Sequence, residues 1–319
     1  MRVGATGASA ELLRQAMPLV TLVLLVVLVG AVTPEFLTVQ TLLVLASDTA
    51  TLFVMAVGVT FVIMLGGIDL SIQSVASLTS VIVALTLPRF GYLGFLLATL
   101  VGALAGTLSG LAHVKLKIPS FIATLAVGGI AAGTALIISD AQAITMGAAE
   151  RAYLGWITGK SLGLPHEVII GAVVLAVGLL LQRYTAFGRY SQAIGAGEPA
   201  AYASGVRVDR HKIIACVLSG AFAGLAGVIL AGRLASGSPT LANELLLPAI
   251  AAVIVGGTAI TGGVGSVWRT LIGALIISVV RIGMTFTGVD IFAQQIVFGA
   301  VLILAVAVTI DRSKIPIVK

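Results

Sequence analysis

The chain is written in long apolar runs separated by short polar breaks. Ten runs lie at about 17–33, 46–66, 71–87, 92–113, 119–139, 167–182, 212–232, 245–261, 269–286 and 292–310. A helix rising about 1.5 Å per residue needs roughly 20 residues to cross a hydrocarbon layer about 30 Å thick, and runs of this length recur along the whole chain. The breaks are rich in Pro, Gly and charge: "TPEF", "GGID", "LPRFG", "KLKIP", "GEPAA" and "TGVD". The pattern predicts an all-α polytopic membrane protein of about ten transmembrane helices, forming one domain over 1–319. The links between helices 2 and 3 and between 8 and 9 are tight, which predicts re-entrant ends there. The longest outer segment, Asp140 to His166, is expected to carry a short interfacial element around Arg151 to Gly159. Helices 2–5 and 7–10 suggest two halves offset by five spans and therefore inverted, an arrangement common in transporters. Between the halves, "LGGIDLS" and "VGGTAIT" share little beyond a glycine pair.

Composition sharpens this picture. Hydrophobic residues make up 59% of the 319 and charged residues only 9%, with a mean hydropathy of +1.18. A soluble domain holds roughly 45–50% apolar and about 25% charged residues, so water is not the main solvent of this surface. Glycines recur at helix-packing spacing, as in Gly102-x-x-x-Gly106-x-x-x-Gly110 and Gly220-x-x-x-Gly224. Small residues let helix backbones approach closely in lipid, where no hydrophobic force drives helices together. The first run follows Arg2 and Arg14, as a signal-peptide core would, and Val29-Gly30-Ala31 resembles a cleavage site. Its length exceeds the roughly 7–15 residues of such cores, and many spans follow, so it is expected to remain as the first helix.

Charge supplies the orientation. With the N-terminus inside, the inner side collects Arg2, Arg14, Lys115, Lys117, Arg183, Arg189, Arg207, Arg210, Lys212, Arg269, Arg312, Lys314 and Lys319. The outer side holds Arg89, Arg151, Lys160 and Arg233, and Arg281 falls within helix 9. This positive-inside bias predicts cytoplasmic termini and a cytoplasmic loop at 183–212. It also accounts for the net charge of +6, so no nucleic-acid partner is expected. The loop gathers Arg183, Arg189, Glu198, Arg207, Asp209, Arg210 and Lys212 around a small-residue stretch. Pro199, after Gly197-Glu198, suits the first turn of a short helix, and Gly205 suits its end. A slim Ala-rich helix of this kind fits a groove on another protein, with charged residues fixing its register at the rim.

No reaction centre is legible. The chain has no GxSxG or HExxH motif and no carboxylates paired at helical spacing. "GWITGKS" (155–161) imitates the end of a phosphate loop, but its first glycine position is Leu154 and the segment lies outside. The chain is therefore expected not to be an enzyme. The lone Cys216 sits in an apolar run as a packing residue, and the scattered His113, His166 and His211 do not suggest a metal site. Ion-coupled carriers usually bury several charges. Here only Arg281 lies well inside a span, with Asp48 and Asp69 near helix ends, so secondary transport is the weaker alternative. Arg281 either snorkels to the outer headgroups or lines a solute cavity. Asp69, after Gly66-Gly67 and before Ser71, either caps helix 3 or forms part of a gate.

Several segments, in order, resemble the permease subunits of bacterial ABC importers of the ribose and monosaccharide type. They are "FLTVQTLL" (36–43), "LGGIDLSIQSV" (65–75), "PSFIATLAVGGIAAG" (119–133), "TAFGRYSQAIGAGEPAAYASGV" (185–206), "LSGAFAGLAGVI" (218–229) and "AIAAVIVGGTAITGGVGSV" (249–267). One departure stands out: many members read Glu-Leu-Asp where this chain has Leu246-Leu247-Pro248, which leaves the particular sugar unassigned. The resemblance implies import of a sugar or sugar-like solute across the bacterial inner membrane, with branched-chain amino acids or nucleosides as the alternative cargo. It implies a cytoplasmic ABC ATPase subunit carrying ATP and Mg, a periplasmic solute-binding protein, and a second permease copy or paralogue in the lipid bilayer. No cofactor is expected on this chain itself. The 183–212 loop becomes a coupling loop, with Ile194, Gly195, Glu198, Pro199, Ala200, Ala201, Ser204 and Gly205 as the ATPase-docking residues. The pathway or gate candidates are Gly66, Gly67, Asp69, Ser71, Ser120, Thr124 and Arg281.

Overall fold

The computed structural model describes residues 5–309. Helix α1 covers Ala5–Val32, α2 Val39–Met64, α3 Ile72–Phe90, α4 Leu93–Lys115 and α5 Ser120–Ile138. The outer segment follows, with short helices α6 (Ala148–Arg151) and α7 (Gly155–Thr158). Short helical elements are therefore present near 151–159, and "GWITGKS" forms α7 and the first strand of a small hairpin. Then come α8 (His166–Tyr184), α9 (Ala186–Ala196), α10 (Glu198–Ala203), α11 (Val208–Leu234), α12 (Leu246–Val255), α13 (Val267–Phe286) and α14 (Ile291–Thr309). Among the described residues, α2, α3, α4, α5, α8, α11 and α13 are long and apolar enough to cross a membrane. Shorter apolar stretches, Met17–Val32, Asn243–Val255 and Phe292–Ala307, fall on the expected spans 1, 8 and 10. We call the end of the bundle that carries α9 and α10 inner, after the charge pattern, and the opposite end outer.

Packing follows residue size. Helix α2 is buried on every side from Thr49 to Met64, as a helix that is hydrophobic all round must be. Helix α11 lies against α4 over most of its length through the predicted glycines. A methyl group at Gly106 would overlap the Cys216 carbonyl, and one at Gly220 would overlap the Gly102 carbonyl. Cys216 is buried here and in contact range of Gly110, in the packing role expected of it. Helix α2 packs on α12 and α13 where α11 packs on α3 and α4; α3 meets α4 and α5 as α12 meets α13 and α14. This is the neighbour pattern that two copies of one four-helix unit produce.

The span expected at 245–261 is shorter. Helix α12 ends at Val255, and its ten residues cover about 15 Å, half a membrane. The reason is the glycine pair. Gly257 has φ +89°, its N–H reaches the Ile254 carbonyl at 2.8 Å, and the Thr258 N–H reaches Val253 at 3.1 Å. Helix α2 ends in the same way: Gly66 has φ +78°, with Gly66 N–H to Ile63 at 2.8 Å and Gly67 N–H to Val62 at 3.0 Å. Both are left-handed terminal motifs that return the last carbonyls to the chain. Helices α2 and α12 run in the same direction, so the shared glycine pair is one stop signal used twice rather than a mark of the inverted halves.

Candidate functional site

Beyond its glycine stop, the chain from Ile68 to Ser71 runs non-helical inside the bundle. Buried backbone groups outside a helix need partners. Helix α5 supplies them: the Ile68 N–H donates to Ser120 Oγ at 3.1 Å and the Leu70 N–H to Thr124 Oγ1 at 3.0 Å. Thr124 Oγ1 in turn donates to the Ile68 carbonyl at 3.2 Å. Two hydroxyls one helical turn apart thus stitch the break to α5. Asp69 is fully buried, and its Oδ1 accepts from the Ser71 N–H at 2.9 Å and the Ser71 hydroxyl at 2.6 Å. This corrects the helix-cap expectation. The approach to α3 bends away from helical geometry, so the carboxylate reaches only two residues ahead and not the free amides of the first turn. Its Oδ2 has no hydrogen-bond partner among the described residues. Gly66, Gly67, Asp69, Ser71, Ser120 and Thr124 therefore form one locus. Beside it lies a cavity of about 290 Å³ bounded by Gly66, Gly67, His113, Ser120 and the Glu198–Lys212 ion pair.

The inner charged stretch is ordered into α9 and α10. Pro199 is the second residue of α10, and Gly205 closes it with the same motif as the glycine stops: Gly205 N–H to Tyr202 at 3.0 Å and Val206 N–H to Ala201 at 3.1 Å. Lys212 holds both carboxylate oxygens of Glu198 at 2.8 Å, pinning α10 to α11. Of the eight docking candidates, Glu198, Pro199, Ala200, Ser204 and Gly205 are exposed, whereas Ile194 and Ala201 are buried. Gly195 faces inward as well. A methyl group there would overlap the Met64 carbonyl and the Gly263 amide, which are themselves hydrogen-bonded at 2.9 Å. The end of α9 thus touches the backbone at the end of α2 and the loop beyond α12, and no side chain intervenes. An open groove of about 960 Å³ runs between α9, α10 and α11, where the His211 ring stacks on Phe187 with centroids 6.1 Å apart.

Arg281 lies elsewhere, toward the outer end. It turns inward instead of snorkelling: its Nη2 donates to Asp48 Oδ2 at 2.8 Å. Arg233 Nη2 donates to Asp48 Oδ1 at 2.6 Å, and Arg233 Nε lies 3.2 Å from Glu167 Oε1. An arginine within a span costs roughly 2.5–3.5 kcal/mol unpaired, and pairing with Asp48 offsets part of that cost. Asp48, expected near a helix end, lies more than two turns inside α2. Glu167 and Arg233 sit at the ends of α8 and α11, where charges are ordinary and give no sign of a cluster. The signal was Arg281 itself, since a cation in a span needs an anion facing it. Asp48, Arg233 and Arg281 line a pocket of about 830 Å³ at the outer ends of α2, α11 and α13 and the start of α14.

Comparison with known proteins adds the following. Residues 41–306 match the family model described as branched-chain amino acid transport system / permease component. The chain is 37% identical over 293 residues to the ribose import permease protein RbsC of Haemophilus influenzae, covering 90% of both chains. It is 36% identical to the protein of the same name from Escherichia coli strain K12, covering 91% of this chain and 92% of that one. It is also 32% identical to the L-arabinose ABC transporter permease protein AraH of Azospirillum brasilense, covering 95% of this chain and 89% of that one.

Proposed function

This chain belongs to the family of ABC transport-system permease components, and from that premise we propose that it is the membrane-spanning subunit of an ATP-driven importer for a sugar, a pentose being the best-supported class. The names of the ribose and arabinose relatives, matched over about nine-tenths of both chains, support the sugar reading. The description of the family model favours a second one, a branched-chain amino acid.

One observation carries the mechanism: the inner helical unit is wedged by Gly195 onto both broken helices. A cytoplasmic ATPase subunit would seat α10 through Glu198, Pro199, Ala200, Ser204 and Gly205, while buried Ile194 and Ala201 anchor the unit to the spans. ATP and Mg belong to that partner. A periplasmic binding protein would deliver solute at the outer pocket, and the Gly66–Ser71 segment, held by Ser120 and Thr124, would form the inner barrier. A second permease copy or a paralogue completes the assembly in the inner membrane, with both termini cytoplasmic.

Two experiments test this reading. In sealed cells a membrane-impermeant maleimide should label a cysteine at position 160 and spare one at 198; labelling at 198 inverts the topology. In proteoliposomes holding the permease, its ATPase and its binding protein, D-ribose should enter only with ATP. Gly205→Trp should assemble yet lose about tenfold or more of uptake and of binding-protein-stimulated hydrolysis, an effect above about 1.4 kcal/mol on the coupled step. Normal stimulation by that variant would reduce α10 to a surface loop, and uptake of L-leucine in place of D-ribose would select the second reading.

A further inference from the structure

The outer pocket holds an ion-pair cluster that coupling to ATP does not require. Asp48 and Glu167 carry two negative charges, Arg233 and Arg281 two positive ones. The cluster is neutral as a unit and drawn from four helices. Two features make it more than a structural clamp. First, it is left open: Arg281, Arg233 and Asp48 keep 26%, 27% and 18% of their side-chain surface exposed and line the pocket wall. These charges are presented to a space of about 830 Å³ that a solute can enter. Second, the valences are only partly used. A guanidinium has five N–H donors and a carboxylate about four acceptor sites. Arg281 spends Nη2 on Asp48, Arg233 spends Nη2 and Nε, and each Asp48 oxygen takes one short bond.

We propose that Asp48, Arg233 and Arg281 form a station on the permease for a neutral polyhydroxylated solute, with Phe286 on the same wall as an apolar face for the sugar ring. A vicinal diol both donates and accepts, so it bonds to the unused donors and acceptors of a standing ion pair without breaking it. An anion or cation would leave the balanced cluster with excess charge. A zwitterion would have to compete for Asp48 against two arginines already held at 2.6 and 2.8 Å. Partial exposure keeps such binding weak, as a site that only passes its solute onward requires. Gln40, which is exposed, adds a further polar group to the lining.

This inference rests on the sugar-importer reading, and the test separates the two. The permease–ATPase complex in nanodiscs, without binding protein, is titrated with D-ribose and with L-leucine and followed by saturation-transfer difference NMR. The wild-type complex should give signals from D-ribose and none from L-leucine. The double variant Asp48→Asn/Arg281→Gln removes both charges of one pair together, so neither is left facing a lost partner, and Arg233 keeps Glu167. It should lose the D-ribose signal. With binding protein present, its maximal uptake should fall about tenfold or more, while the concentration of loaded binding protein giving half-maximal uptake stays unchanged, because docking sets that concentration. In a double variant that elutes as an intact complex on size-exclusion, a stability role alone would leave the NMR signal in place. Absence of any D-ribose signal in the wild type, or an undiminished one in the double variant, overturns the station even where ATP-driven uptake is intact. Absence of ATP-driven uptake in the wild type overturns the importer reading instead.

Discussion

Gly106→Val is expected to be among the most damaging single substitutions in this chain, leaving little monodisperse protein after detergent extraction. At this crossing α4 and α11 meet backbone to backbone: a first side-chain carbon on Gly106 would overlap the Cys216 carbonyl and crowd Val217, with only main chain to push against. Overpacking an adaptable core costs about 1–3 kcal/mol, and here neither helix has a side chain that can rotate away, so the loss should reach or exceed the top of that range. The two helices must separate, and α11 also packs on α2 and α3, so the displacement spreads through the bundle. Gly133→Val provides the comparison, since among the described residues nothing beyond its own helix backbone lies within 4 Å of its would-be side chain. Thermal unfolding followed by size-exclusion should show Gly133→Val near the wild type and Gly106→Val far below it. Equal behaviour of the two would mean that the α4–α11 approach is not what holds the bundle together.

Gly195→Val should give the largest functional effect without preventing insertion. Its side chain would enter the contact where Met64, Gly66, Gly262 and Gly263 converge on the end of α9. The unit carrying α10 would be levered off both helix breaks, which under the proposed function are where a push from the ATPase would arrive. We expect basal ATP hydrolysis by the assembled complex to persist, stimulation by loaded binding protein to vanish, and uptake to fall more than about tenfold, above about 1.4 kcal/mol in the coupled step. A purely structural role would lower assembly and basal hydrolysis together. Intact stimulation in a properly assembled Gly195→Val complex would sink the idea that α9 transmits motion through this contact.

The elements and their order were legible in the residues because the bilayer leaves little choice. A chain this apolar must satisfy its own backbone, and helices of membrane length punctuated by Pro and Gly are the way to do so. That α4 and α11 each carry a face for close backbone packing was readable too, since Gly at every fourth position leaves nothing on it but backbone; that the two faces meet each other was set by the fold. The short helix at 198–203 followed from Pro at its start and Gly at its end, which act through φ alone and need no tertiary partner. Family membership, which the comparison bears out, was likewise local, carried by ordered motifs such as "GGIDLS" and "PSFIAT".

What depended on distance in space was decided only by the folded chain. That Ser120 and Thr124 serve Ile68 and Leu70 joins positions more than fifty residues apart, and a hydroxyl on a helix gives no sign of which backbone it will meet. That α12 stops halfway needed the Val253 and Ile254 carbonyls to find Thr258 and Gly257, since apolar residues on both sides of a glycine pair read as one continuous span. Arg281 could be seen as a cation in a span, but its partner Asp48 is 233 residues away, and nothing local joins α13 to α2. Gly195 looked like one more small residue on a docking surface until the fold set it against two main chains at once. Residue types determined which segments leave water and where the membrane-length helices end. The meeting of those ends, where the groups with work to do are gathered, was set by packing, because polar groups shut out of lipid bond to whatever the bundle brings within reach.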